Sequence, residues 1–207
     1  MVAQAASDFV KVVLTGDGGD ESFGGYDRTL NVHKSSKWRR FLPESVRRSL
    51  LKAVDSISYS EYPTSNGYFS QGARRLKHNL INVKEGYYTH IHTMGWINQR
   101  DQLYSREFRS RLSDHNPKRY TDQLFYECKD LSATDQALYA DFKFGLPDDY
   151  LVKMDIATMS NSIEARSPFV DQELVEFAAT IPSEIKLKEG SQKYILKQIG
   201  KKYLPEE

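Results

Sequence analysis

A short apolar run that empties into a turn crowded with acids constrains this chain more than any other feature. Val10-Lys11-Val12-Val13-Leu14 is followed at once by Thr15-Gly16-Asp17-Gly18-Gly19-Asp20-Glu21. The run is β-branched and apolar on both faces, the pattern of a buried parallel strand. A lone strand is not stable, so this one needs partners. Few later segments read as central strands. The expectation is that neighbouring strands belong to sequence not included here, and that these 207 residues are mostly α-helical with one or two strands.

The turn itself leaves two readings open. Asp-Gly-Gly-Asp is ordinary turn chemistry, and Asp20 could cap a helix that starts near Glu21. Alternatively, Gly16, Gly18 and Gly19 free the backbone to bring N–H groups close to a phosphate. A bare phosphate cradle would not hold Asp17, Asp20 and Glu21 as well, because like charges repel. A cation among them resolves the conflict, and Mg²⁺ suits, being bound by one or two carboxylates with phosphate oxygens. Ligands of open α/β sheets bind beyond the carboxyl ends of the strands, where this turn lies. Spacing alone does not choose between the two.

Helical signals dominate elsewhere. Ala3 to Phe9 reads as a short helix. Leu42 to Val54 reads as another, with Pro43 in its first turn and Val46, Leu50, Leu51 and Val54 on one face. Thr134 or Asp135 can cap a helix through Phe142 that Gly145 stops, and Pro147 opens a further helix from Asp148 to Met159. Asp171 caps Glu173 to Thr180 before Pro182, and Gln192 to Ile199 ends at Gly200.

Bulk properties exclude several classes. Hydrophobic residues make up 39% of the chain and aromatics 12%, so a packed body is expected. Lys plus Arg is 29 against 28 for Asp plus Glu, which gives no polyanion-binding signature overall. Cys128 is the only cysteine, excluding an intramolecular disulfide and a multi-cysteine metal site. No apolar run approaches membrane-spanning length, and a cytoplasmic location with no membrane partner is the expectation.

Val12 to Tyr26 closely resembles the acidic loop of the asparagine synthetase (glutamine-hydrolysing) family's C-terminal synthetase domain. A second block, Leu146-Pro147-Asp148-Asp149-Tyr150-Leu151-Val152-Lys153-Met154-Asp155, then Met159 to Ser162 and Glu164-Ala165-Arg166-Ser167-Pro168-Phe169-Val170-Asp171, is similar in the same order. Glu173 to Ala178 and Lys193-Tyr194-Ile195-Leu196-Lys197 also look like that family. The resemblance implies an α/β synthetase domain of the adenine nucleotide alpha hydrolase-like kind, Rossmann-like with a PP-loop ATP pyrophosphatase core. Residues 1–207 would be part of it: 1–30 the strand and acidic loop, 31–207 a helical C-terminal part.

The activity implied is ATP-dependent amide synthesis, aspartate to asparagine through an aspartyl-adenylate with glutamine-derived ammonia. Asp17 and Lys153 would be catalytic, and Thr15, Gly16, Gly18, Gly19 and Glu21 would bind ATP or pyrophosphate. Asp20 would bind Mg²⁺, and Asp149 would bind substrate. The family's serine-glycine-glycine-x-aspartate-serine loop is not found here, nor is its cysteine-initiated glutaminase: Val2 follows Met1. The chain alone is therefore expected to be inactive, working with an N-terminal glutaminase domain and as a homodimer. Other members act on other carboxylates or sugars, and Asp17 argues against the β-lactam branch. Asp149 and Lys153, four apart, share a helical face and could equally be an exposed ion pair. Glu164 and Arg166 read as buried polar contacts that fix the bend at Ser167-Pro168.

Two weaker signals remain. His90 and His92 lack a clear third metal ligand. Lys34, Lys37, Arg39, Arg40, Arg47, Arg48 and Lys52 stand against Glu44 alone, with Trp38 and Phe41 between. A solvated helix face is the expected reading, and a non-catalytic RNA-binding module using residues 34–52 is the alternative. Tyr62, Tyr68, Tyr87 and Tyr88 read as core.

Overall fold

A computed structural model describes residues 2–58, 76, 80–84, 86, 104–112 and 118–205. The tyrosines at 62, 68, 87 and 88 and the histidines at 90 and 92 lie outside them. In chain order the elements are α1 (Val2–Ser7), β1 (Val12–Leu14), α2 (Gly19–Phe23), α3 (Asp27–Arg39), α4 (Glu44–Ser58), α5 (Arg106–Arg111), α6 (Lys118–Glu127) and α7 (Ala133–Ala140). A π-helix (Asp141–Leu151), α8 (Val152–Met159), β2 (Glu164–Arg166), a 3₁₀ turn (Pro168–Val170), α9 (Gln172–Thr180), α10 (Ser183–Lys186), a second 3₁₀ turn (Lys188–Gly190) and α11 (Tyr194–Gly200) follow. The chain is mostly helical with two parallel strands, as expected. It divides into two compact units, Met1–Leu30 with Leu138–Glu207, and Asn31–Ala137. The segment 31–207, read as one helical part, is thus shared between them.

In the first unit β1 pairs with β2 in parallel, Val12 against Glu164, Val13 against Ala165 and Leu14 against Arg166. The parallel reading is right, but burial on both faces is not: Val12 is 41% exposed and Leu14 74%. Among the described residues β1 has one neighbouring strand, and the face that carries these two side chains is only partly covered. Glu164 and Arg166 are also exposed, contrary to their expected burial, and pair with each other at 2.7 Å from alternate positions of β2. Backbone bonds hold the bend instead, Val170 N–H to Ser167 O and Asp171 N–H to Pro168 O.

Helix winding continues through Gly145 and Pro147, where a stop and a fresh start were expected. Between α7 and α8 the turns widen to the i→i+5 pattern of a π-helix. A proline ring inside an α-helix collides with the carbonyl four residues back, and the wider turn relieves that clash. Asp171 caps α9 as read, accepting from the N–H groups of Glu173 and Leu174. Phe23, Leu146, Ile163, Ala178 and Leu187 are buried in this unit.

In the second unit Val54, Leu80, Val83, Leu124, Phe125 and Cys128 are buried. The Cys128 thiol donates to Leu124 O, and burial pushes its pKa up, so it behaves as a core side chain. Most of the basic stretch is exposed. Arg39 and Arg47 are half-buried; Arg39 donates to Ile81 O, and burial, with Arg47 nearby, lowers its pKa. Arg48 pairs with Glu44 on the open face of α4. Among the described residues no helix is long and apolar enough to cross a membrane.

Candidate functional site

The register of the two strands sets the site. Leu14 lies opposite Arg166, so the next residues, Thr15 and Ser167, emerge side by side at the carboxyl ends of both strands. Thr15 N–H donates to Arg166 O at 2.9 Å, extending the ladder by one bond. The Thr15 hydroxyl donates to Asp17 Oδ2 at 2.8 Å and lies 2.6 Å from Ser167 Oγ. A hydroxyl has one proton. Since Thr15 gives its proton to the carboxylate, Ser167 must donate to Thr15, and the three side chains form a directed chain ending on Asp17.

Glycine is required at particular points beyond Asp17. Gly18 has φ 88° and precedes α2, and a Cβ there would sit 2.8 Å from Val170 Cγ2 and 3.1 Å from Phe169 O. Gly19 faces the Phe169 ring, which also meets Phe23 edge-on at 6.1 Å. Around Gly16 no atom lies within 4 Å of where a Cβ would stand. The loop is thus closed against the Phe169–Val170 turn and open at Gly16.

The three acids occupy different settings. Asp17 is half-buried and held by Thr15. Asp20 Oδ1 pairs with Lys193 Nζ at 2.9 Å, both side chains about one-third exposed. A Cβ on Gly25 would fall 1.6 Å from that oxygen, so the ion pair itself demands glycine. Glu21 is buried, 3% exposed, and accepts the Tyr26 hydroxyl at 2.6 Å. Burial raises its pKa most, the Tyr26 bond opposes this, and the nearby Asp20 and Asp141 carboxylates add to the rise. The Tyr26 phenol is driven far above its ordinary value by burial and by Glu21.

Tyr26 links the loop to the second motif block. Its ring stacks on Tyr150 with centroids 6.0 Å apart and planes 20° apart, and Lys153 Nζ sits 4.7 Å from the centre of the Tyr150 ring. The Arg28 guanidinium lies 3.8 Å from the centre of the Tyr26 ring and pairs with the fully buried Asp141 at 2.9 Å. Thr29 Oγ1 also donates to Asp141, at 3.3 Å. Asp149 and Asp155 are exposed. Lys153 meets the Tyr150 ring rather than an acid four residues away.

The donors nearest the strand ends suit a hard cation held by one or two carboxylates, with phosphate oxygens completing its shell. Asp17 and Asp20 are the part-exposed acids of the loop, whereas Glu21 is turned to Tyr26. Among the described residues no group of three or more His, Cys, Asp or Glu converges. Sequence reasoning missed Ser167, Lys193 and the Arg28–Asp141 pair as parts of this site. Ser167 could have been found from strand register, and Lys193 from the resembling segment that begins with it. Nothing local marks Asp141, more than a hundred residues from Arg28.

The family model described as asparagine synthase matches residues 1–207. Asparagine synthetase [glutamine-hydrolyzing] 1 of Bacillus subtilis is 28% identical over 211 residues, covering 99% of this chain and 30% of the relative. Amidase chyE of Penicillium rubens is 27% identical over 219 residues, covering 96% of this chain and 30% of the relative. The chain therefore spans about 30% of the length of these relatives. No solved structure matches.

Proposed function

Because the chain belongs to the asparagine synthase family, we propose that it forms part of a synthetase site that spends ATP to make an amide, converting aspartate to asparagine through an aspartyl-adenylate and glutamine-derived ammonia. One observation carries this reading. Thr15 and Ser167, from two motif blocks far apart in sequence, meet at 2.6 Å beyond the carboxyl ends of paired parallel strands. That is where open α/β sheets bind nucleotides.

The roles follow from the settings of the side chains. Gly16 leaves room for a phosphate or ribose to approach the main chain, and Gly18 and Gly19 let the loop pack on Phe169 and Val170 behind it. The Ser167–Thr15–Asp17 chain holds the Asp17 carboxylate toward the open end of the strands, where it orients the reacting carboxyl or amine. Asp20 is the ligand for Mg²⁺ bound with the nucleotide, and such an ion neutralises charge on a departing pyrophosphate. Lys193 holds Asp20 until phosphate arrives and then offers its ammonium to that phosphate. Glu21 sits behind the loop and accepts the Tyr26 hydroxyl, while the Tyr26 ring stacks on Tyr150, against which Lys153 rests with its ammonium placed for substrate charge. Asp149 lies on the same segment and suits a substrate amine.

The test is aspartate-dependent pyrophosphate release by a longer protein that carries this chain together with the glutaminase and remaining synthetase segments implied by its relatives' length. Asp17→Asn is expected to lower the rate about 10²-fold or more, as loss of a preorganised charged group at a reacting centre does. Release that does not depend on aspartate, or that Asp17→Asn leaves intact, would overturn the assignment. The 207-residue chain alone is expected to release none.

A further inference from the structure

We infer that Arg28, anchored by the buried Asp141, is a positioning residue of this site: it braces Tyr26, and Tyr26 in turn sets both the Glu21 carboxyl and the Tyr150 ring on which Lys153 rests. The inference builds on the proposed synthetase reading but is argued from geometry of its own.

The contacts run in one direction of dependence. Asp141 has no exposed side-chain surface, and it takes the Arg28 Nε at 3.0 Å and the same guanidinium's NH2 group at 2.9 Å. A guanidinium gripped in this way is planar and fixed. It stands 3.8 Å from the centre of the Tyr26 ring, well inside cation–π range. The Tyr26 ring then has little freedom to tilt, and both of its other contacts depend on that tilt. At the hydroxyl it meets Glu21 at 2.6 Å, and across the ring it stacks on Tyr150 at 6.0 Å. Lys153 lies 4.7 Å from the centre of Tyr150. One ion pair thus controls the relation between the acidic loop and the lysine of the second motif block. Asp141 is also the first residue of the π-helix, so the brace acts at the point where the helix widens to reach Tyr150.

A purely structural role and a positioning role separate in a double variant. Arg28→Met alone leaves Asp141 buried without its guanidinium and can simply unfold the protein. Arg28→Met/Asp141→Leu removes both charges, and replacing a buried ion pair by apolar groups of similar volume is often neutral or stabilising. The double variant also takes from the buried Thr29 hydroxyl its Asp141 acceptor, which costs stability because a buried donor is left unsatisfied. Thr29→Val added to it removes that donor as well. The variant that folds by circular dichroism is the one assayed, and both lack the brace.

The first measurement needs no activity. In the 207-residue chain, the rate of reductive methylation of Lys153 by formaldehyde and borane, followed by mass spectrometry, is expected to rise about two- to five-fold in the double variant, the scale of one cation–π contact. Lys37 serves as an internal standard and should not change. Arg28→Lys, which keeps a cation over the ring, should stay near wild type. The second measurement is pyrophosphate release by the longer protein. There the double variant should lose kcat about 10- to 100-fold with little change in KM, as displacement of a reacting group by about an ångström does.

A folded double variant with unchanged Lys153 reactivity overturns the inference, and so does one with full kcat. Raised Lys153 reactivity in a protein whose wild type shows no aspartate-dependent release would leave the brace standing and remove the synthetase reading instead.

Discussion

Residues 15–26 and residues 34–52 each concentrate charge of one sign, and the fold treats them in opposite ways. In the acidic loop each carboxylate has a specific partner: Asp17 the Thr15 hydroxyl, Asp20 the Lys193 ammonium, Glu21 the Tyr26 phenol. In the basic stretch Lys34, Lys37, Arg40 and Lys52 stand in solvent, with Trp38 75% and Phe41 81% exposed beside them. Charge density in the sequence looks alike in the two places. What differs is whether glycines and a distant segment close around it.

The comparison predicts effects of very different size. The largest belongs to the buried network behind the loop. Arg28→Met should cost about 3–5 kcal/mol, the loss expected when one partner of a buried ion pair is removed. A urea melt showing less than 1 kcal/mol would mean that Asp141 is reached by water and that the loop is no better enclosed than the basic helix.

Next come the glycines. Gly25→Ala and Gly18→Ala should each cost about 1–3 kcal/mol, because the added methyl meets Asp20 Oδ1 in one case and Val170 in the other, at a positive φ. Gly25→Ala should also break the Asp20–Lys193 pair. Unchanged thermal midpoints for both would contradict the close fit described here.

A smaller effect appears with pH. Burial raises the Glu21 pKa, so the folded state holds that proton more tightly than the unfolded chain does. Between the ordinary carboxylate value and the raised one, the native state binds more protons, and stability falls as pH rises through that window. Glu21→Gln keeps an acceptor for Tyr26 but has no proton to lose, and should flatten this dependence in melts taken across mildly acid to neutral pH. A steeper dependence in the variant would reverse the sign argued here.

The smallest effects sit in the basic stretch. Lys37→Ala or Lys52→Ala should move stability by less than about 0.5 kcal/mol. Breaking the exposed Arg48–Glu44 pair by Glu44→Gln should cost only about 0.3–0.5 kcal/mol. Losses above 1 kcal/mol from any of these would erase the contrast between the two regions.

Legibility in the sequence followed the same division. The strand before the loop, the Asp171 cap and the helical character of the rest could be read because each rests on local pattern. Gly145 and Pro147 misled, since both are breakers of an α-helix and the chain meets them with a π-helix. Glu164 and Arg166 misled because adjacent motif residues suggested burial, whereas their alternate positions on β2 point both to solvent. Asp141 was invisible for a simpler reason: its partner is over a hundred residues away, and no periodicity encodes such a pairing. The candidate site was legible as residue types in the loop but not as a cluster, because Ser167 and Lys193 join it only through strand register and chain return.

The most direct test of the central claim is hydrogen exchange of the longer protein with and without ATP and Mg²⁺. If the strand ends form the nucleotide site, amides of residues 15–20 and 166–170 gain protection on adding the nucleotide while those of 34–52 do not. Protection confined to other segments, with 15–20 and 166–170 exchanging as before, would contradict the account.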